Sequence, residues 1–190
     1  MKAKLYIILA ALCFSISSFA QEKLFMDKPA KNGHRTIGTY YHYMSKGFTD
    51  ATPIGLSIIA ESFTDSIAYY LSARTSNVRF PKGGVFLIKT MEGEVIELTQ
   101  ISEKYDTGSI HYVPNYGVIE HGIGLYPVTL DILNILNQGG IAKVRLETTS
   151  GVIDKEYKPK QVERYKKEFT AMYNLILESI SKKKDIYSDF

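Results

Sequence analysis

Apolar residues recur along this chain in two rhythms, a period near two over its first two thirds and a period of three to four at its end. Residues 36–43, 54–62 and 66–74 are rich in Tyr, Ile and Leu, and Gly, Pro, Asp, Thr or Asn bounds each of them, the marks of strands. Thr64-Asp65 shapes a short hairpin loop between the second and third, so the three form an antiparallel run. Val85-Phe86-Leu87-Ile88 does not alternate, which predicts a central strand covered on both faces. Glu92-Gly93 then turns the chain into a partner strand at 94–101.

Residues 102–128 offer strands at 109–113 and 123–128, while Pro114, Gly117, Gly122, Gly124 and Pro127 interrupt any longer pattern. Thr129 is a fitting N-cap for a short helix over 130–138, whose apolar face is Ile132, Leu133, Ile135 and Leu136 and whose stop is Gly139-Gly140. In 141–149, Ala142, Val144 and Leu146 alternate with Lys143, Arg145 and Glu147, the pattern of a half-buried strand. Pro159 suits the first turn of a final helix over 159–182. There Val162, Tyr165, Phe169, Met172, Tyr173, Ile176 and Ile180 recur at spacings of three and four, and Lys182-Lys183-Lys184 complement the dipole at its end.

If Ser150-Gly151 is the loop that returns 141–149 into 152–157, Thr149 faces Val152, Arg145 faces Glu156 and Val144 faces Tyr157. That register buries Val144, Leu146, Ile153 and Tyr157 together, and its one strained point is Glu147 beside Asp154. Strands joined by short turns, followed by helices late in the chain, predict an α+β fold: a curled antiparallel sheet covered on one face by the helices at 130–138 and 159–182.

The N-terminus carries a different signal. Lys2 and Lys4 precede an uncharged run from Leu5 to Phe14, and Ser18-Phe19-Ala20 supplies the small residues of a processing site before Gln21. We read residues 1–20 as a secretory signal peptide. The apolar run is too short for a bilayer, which takes ~20 residues to cross. Leu12 before Cys13 departs from a lipoprotein signal, so neither a lipid anchor nor a transmembrane segment is expected in the mature form. Residues 21–190 then read as a single domain with a loosely ordered arm to about residue 35, placed in the periplasm or outside the cell.

Export changes the reading of composition. The chain's 23 basic and 20 acidic residues give +3, and removing Lys2 and Lys4 brings the mature balance close to neutrality. No basic surface for nucleic acid is implied. Cys13 is the chain's single cysteine, so the mature domain has no disulfide to use and is held by packing alone.

Candidate chemistry is sparse. His34, His42, His111 and His121 lie at no metal-ligand spacing, so neither a metal nor a cofactor is expected. Gly55-Leu56-Ser57 and Thr107-Gly108-Ser109 do not complete a nucleophile elbow. Gly122-Ile123-Gly124 opens no helix and so makes no phosphate cradle. Most carboxylates fall on solvated hairpins or helix faces, leaving Asp50, Asp65 and Glu120 without such an account.

The chain holds 14 tyrosines and no tryptophan, and alternation places Tyr41 and Tyr43 on one face of their strand, Tyr40 and His42 on the other, one face being core. The stretch richest in aromatic and titratable groups is His111, Tyr112, Asn115, Tyr116, Glu120, His121 and Tyr126, a Gly- and Pro-punctuated segment that is the candidate ligand-binding site. The leading expectation is an exported, non-enzymatic binding or interaction module for a protein or glycan at the cell envelope. The alternative is a small hydrolase of envelope or glycan material that uses Asp50, Asp65 or Glu120 with His111 or His121. For export itself the expected outcome is a secreted chain beginning at Gln21, read by intact mass; a product retaining residues 1–20, or lipid on Cys13, overturns it.

Overall fold

The inner face of one strand organises the rest. In the computed structural model, which describes residues 24–29, 34–45, 50, 52–63, 65–102, 106–113 and 117–188, Ile54, Leu56, Ile58 and Ala60 alternate along β4 (Ile54–Ser62) and all four are buried. The long final helix α2 (Pro159–Ser188) lies against them, burying Val162, Tyr165, Phe169, Met172 and Ile176 from its apolar stripe. Each such side chain contributes roughly 1.5–3 kcal/mol when removed from water.

Around this contact the fold is α+β, with its strands in two antiparallel sheets. The larger sheet has the order β1 (Leu24–Pro29), β2 (Arg35–Thr39), β4, β5 (Ile67–Ser76), β9 (Gly117–Val128), β8 (Asp106–Val113), with β3 (His42–Met44) also paired to β4. The smaller has the order β11 (Gly151–Glu156), β10 (Lys143–Thr148), β6 (Val85–Lys89), β7 (Val95–Thr99). The short helix α1 (Leu130–Gly139) packs on α2. One cluster of buried side chains runs through both sheets and both helices, and the rings of Phe86 and Tyr126, 5.2 Å apart, join sheet to sheet.

Helix α1 starts and stops where its caps dictate. Thr129 Oγ1 accepts from Ile132 N at 3.2 Å, and Gly140, at φ 63°, donates its N–H to Leu136 O at 3.0 Å. The start of α2 is fastened to the end of β3: the Tyr165 hydroxyl donates to Ser45 O at 2.6 Å and Gln161 Nε2 donates to the same carbonyl at 3.0 Å.

Four expectations are corrected. The strands do not form one sheet, because the pair β10–β11 extends β6 and β7 and leaves the larger sheet to β1–β5, β8 and β9. Within the stretch expected as an arm, residues 24–29 form β1, paired to β2 from Leu24↔Thr39 to Pro29↔Arg35. Arg35 secures it, donating from Nε and Nη2 to the Asp27 carboxylate at 2.7 Å each and from Nη1 to Ser179 O of α2 at 3.0 Å. The polar text of Asp27-Lys28 hid an edge strand whose stability comes from that fork.

The strand expected at 36–43 is broken by a bulge. Gly38 faces Ile59 and His42 faces Leu56, so three residues on one strand oppose two on the other. Thr39 mends the ladder, its Oγ1 accepting from Ile58 N at 3.0 Å and its carbonyl accepting from Ser57 Oγ at 2.8 Å. Alternation is lost across the bulge, so neither pair of aromatic residues becomes core: Tyr40 and Tyr43 are exposed, Tyr41 and His42 half-buried.

The β10–β11 register differs from the expected one by two residues. Thr149-Ser150 forms the loop, with Thr148 opposite Gly151 and Arg145 opposite Asp154. A shift of two leaves every side chain on its original face, so burial of Val144 and Leu146 is indifferent to it. The turn and the charges decide: Gly151 takes φ 117°, Thr148 Oγ1 donates to Gly151 O at 2.7 Å, and Arg145 Nη2 reaches Asp154 Oδ2 at 2.6 Å. Glu147 leaves Asp154 and accepts Val85 N at 2.9 Å.

Strand β9 is twice as long as the stretch expected at 123–128 because its glycines permit close crossing. A Cβ on Gly122 would stand 2.0 Å from Val78 O, so only glycine lets the chain pass there.

Packing and charge in the β10–β11 hairpin separate cleanly by mutation. Leu146→Ala is expected to cost ~2–5 kcal/mol, and Arg145→Ala, at an exposed pair, no more than ~1 kcal/mol. Urea denaturation of the two variants measures the difference.

Candidate functional site

Commitment of the even residues of β4 to the core turns Gly55, Ser57 and Ile59 to the opposite, outer face of the larger sheet. Pairing carries that face across the sheet: Ser72 of β5 lies opposite Ser57, Leu125 of β9 opposite Ser72, Gly38 of β2 opposite Ile59, and Met26 of β1 opposite Gly38. These residues line one groove of about 230 Å³. Its walls come from β1 and from β9, with β2, β4 and β5 between them, so the sheet is curled with this face concave.

The groove has apolar walls and a hydroxyl floor. Met26, Ile59, Ile123 and Leu125 supply the walls, and Phe25, 63% exposed, stands at the rim edge-on to Tyr40 at 5.5 Å. Ser102 closes the far side, brought there by Ile101 N donating to Leu125 O at 3.1 Å. On the floor the Tyr41 hydroxyl and Ser72 Oγ are 2.7 Å apart, and Thr39 Oγ1 lies 3.3 Å from Ser57 Oγ. Thr39, Ser57 and Ser72 are all buried, and Gly38 adds no side chain to the space. The Arg74 guanidinium sits 5.5 Å from the centre of the Tyr41 ring and places positive charge beside the floor.

Among the described residues neither a carboxylate nor an imidazole lines this groove. Its hydroxyls can orient a polar group, and its walls can hold an apolar body.

The residues singled out by sequence are distributed otherwise. His111 and Tyr112 stand on β8 opposite Ile119 and Val118, and Glu120 on β9, placed by backbone alone; Asn115 and Tyr116 lie outside the described residues. His121 is half-buried on the outer face of β9, its Nδ1 3.2 Å from Ser76 Oγ. Tyr126 is on the opposite face, fully buried beside Phe86. His121 and Tyr126 are thus not brought together, and neither lines the groove.

Of the unexplained carboxylates, Asp50 is paired with Lys155 in the interior and Asp65 is exposed. His34 stacks edge-on to Phe63 at 4.6 Å, and His42 Nδ1 lies 3.9 Å from Glu168 Oε2. Among the described residues no three His, Cys, Asp or Glu side chains gather as metal ligands, and no helix is long and apolar enough to cross a membrane.

The groove left one mark in the sequence. Ser57 and Ser72 are small hydroxyl residues at outward positions of β4 and β5, where a solvated face would carry charge. No protein-family model matches the chain, and no curated protein or solved structure matches it either.

Two interior tyrosines carry a pH dependence. Burial raises the phenols of Tyr126 and Tyr157 above the ordinary 10.0, with Glu147 adding to the first and Tyr165 and Asp50 to the second. The unfolded chain ionises first, so their contribution to stability is whole below that ordinary value and is lost as pH rises through the folded values. The Tyr126 hydroxyl is buried and makes no hydrogen bond among the described residues. Tyr126→Phe is therefore expected to stabilise the fold by about 1 kcal/mol at neutral pH and to flatten the alkaline loss, as read by urea titration up to about pH 11.

Proposed function

We propose that this protein is an exported binding module that holds a small amphipathic molecule in the concave groove of its larger sheet. The observation that carries this reading is the combination of apolar walls with a buried row of hydroxyls, Thr39, Ser57, Ser72 and Tyr41, in one cleft of about 230 Å³. Evolution of a sheet for packing alone would favour larger apolar side chains at Ser57 and Ser72, which would fill the space that the small hydroxyl residues leave open. Space kept open above hydroxyls suits a ligand with a short aliphatic or aromatic body and one hydrogen-bonding head.

The volume is below the ~300–1,000 Å³ of drug-sized sites, so the body is small. Tyr41, its ring face toward Arg74 and its hydroxyl on Ser72, favours a head that accepts hydrogen bonds, an alcohol or a carboxylate. The signal-like residues 1–20 support action outside the cytoplasm.

A series of n-alkanols and n-alkanoic acids tests the reading by calorimetry or by displacement of a fluorescent apolar dye. Affinity is expected to rise about fourfold for each methylene until the groove is full, the consequence of ~0.8 kcal/mol per buried CH₂. Leu125→Trp, which fills the groove, is expected to abolish binding without unfolding the chain. Affinity independent of chain length, or unchanged in Leu125→Trp, refutes the proposal.

A further inference from the structure

Strand β11 directs one charged residue into the interior. Lys155 lies opposite Val144 on the core face, and its ammonium is paired with the Asp50 carboxylate, the two side chains being 4% and 7% exposed. Asp50 belongs to the connection from β3 to β4 and also accepts Thr52 N at 3.2 Å. Tyr157, two residues along from Lys155 and 5% exposed, packs edge-on to Tyr165 with ring centres 5.2 Å apart. It stands near enough to Asp50 for the carboxylate charge to act on its phenol. The Tyr157 hydroxyl is buried and makes no hydrogen bond among the described residues.

A buried ion pair loses hydration that mutual attraction repays only with further hydrogen bonds. An amine held against a carboxyl carbon away from water is also the arrangement from which an amide forms, because contact within the fold replaces the entropy of encounter with effective concentrations of about 10⁵–10⁸ M.

We propose that Lys155 and Asp50 condense to an amide, a covalent cross-link between β11 and the β3–β4 connection. A proton passes from Nζ to the carboxylate within the pair, which leaves an amine and a carboxylic acid. The nitrogen lone pair attacks Cγ and the Nζ–Cγ bond forms. The Cγ–O bond to the hydroxyl then breaks, and that hydroxyl departs with a proton from the nitrogen as water. The step needs no oxidant and no co-reactant. The Tyr157 hydroxyl donates to the carboxyl oxygen as charge develops on it. Burial of both groups keeps water from reversing the bond.

The link joins positions 105 residues apart and encloses β4 to β10. It ties the smaller sheet's edge strand to the larger sheet in a chain whose single cysteine is Cys13.

Mass spectrometry of the full secreted chain tests it. The intact mass is expected to be one water lighter than the sequence requires, with trypsin passing over Lys155 and fragment spectra joining the peptide of Asp50 to the peptide of Lys155. Cyclisation of an N-terminal glutamine loses ammonia instead and resides on another peptide. Lys155→Met is expected to restore the missing water, and Tyr157→Phe to slow its loss. A wild-type digest in which Lys155 is cleaved by trypsin and free to acylating reagents overturns the proposal, whatever the variants do.

Discussion

Burial of the α2 stripe against β4 is the contact on which the remaining structure depends. Ile54, Leu56, Ile58 and Ala60 cannot face inward without sending Gly55, Ser57 and Ile59 outward. The same contact draws in β2 and β3 at the flanks, where Arg35 and Ser45 bind the helix through its Ser179 carbonyl and its Tyr165 hydroxyl. Tertiary packing of this kind, more than helix propensity, is what stabilises a long amphipathic helix.

The outer face follows from that commitment and from one bulge. Inserting a residue between Gly38 and His42 increases local twist, and it frees Thr39 to bond Ser57 and Ile58 while Tyr41 swings over Ser72. Without the extra residue, strict alternation would keep Thr39 and Tyr41 on one face with Gly38 and Tyr40 on the other, and the present floor would not assemble. The groove is therefore a product of strand irregularity imposed on a rigid inner face, which is the usual relation between a site and its scaffold.

Among the described residues an interior ion pair registers elements distant in sequence, Asp50 meeting Lys155 between the two sheets, while nearer the surface Asp27 meets Arg35 where the edge strand joins α2. Tyr126 and Tyr157 bring hydroxyls into the core with no partner among the described residues, a cost accepted for ring packing against Phe86 and Tyr165. The proposed amide would remove the charges of the most buried of these pairs.

The sequence by itself determined the elements governed by local periodicity and caps: β4, the helix closed by Thr129 and Gly140, the stripe of α2, and the inward set Val144 and Leu146. Each depends on neighbours within a few residues, so the text records it. Only the tertiary structure decided the division into two sheets, the pairing of β1, the bulge at Thr39 and the β10–β11 register, where a slip of two preserves every facing and leaves the choice to a turn and an ion pair. The groove belongs to this second class. Its described lining comes from five strands, Tyr41 and Ser102, and beyond the small hydroxyl residues Ser57 and Ser72 the sequence does not mark residues that curvature brings together. Of the aromatic, titratable segment that did stand out in the sequence, His121 and Tyr126 fall on opposite faces of β9, with Tyr126 drawn into the core because apolar area outweighs one hydroxyl.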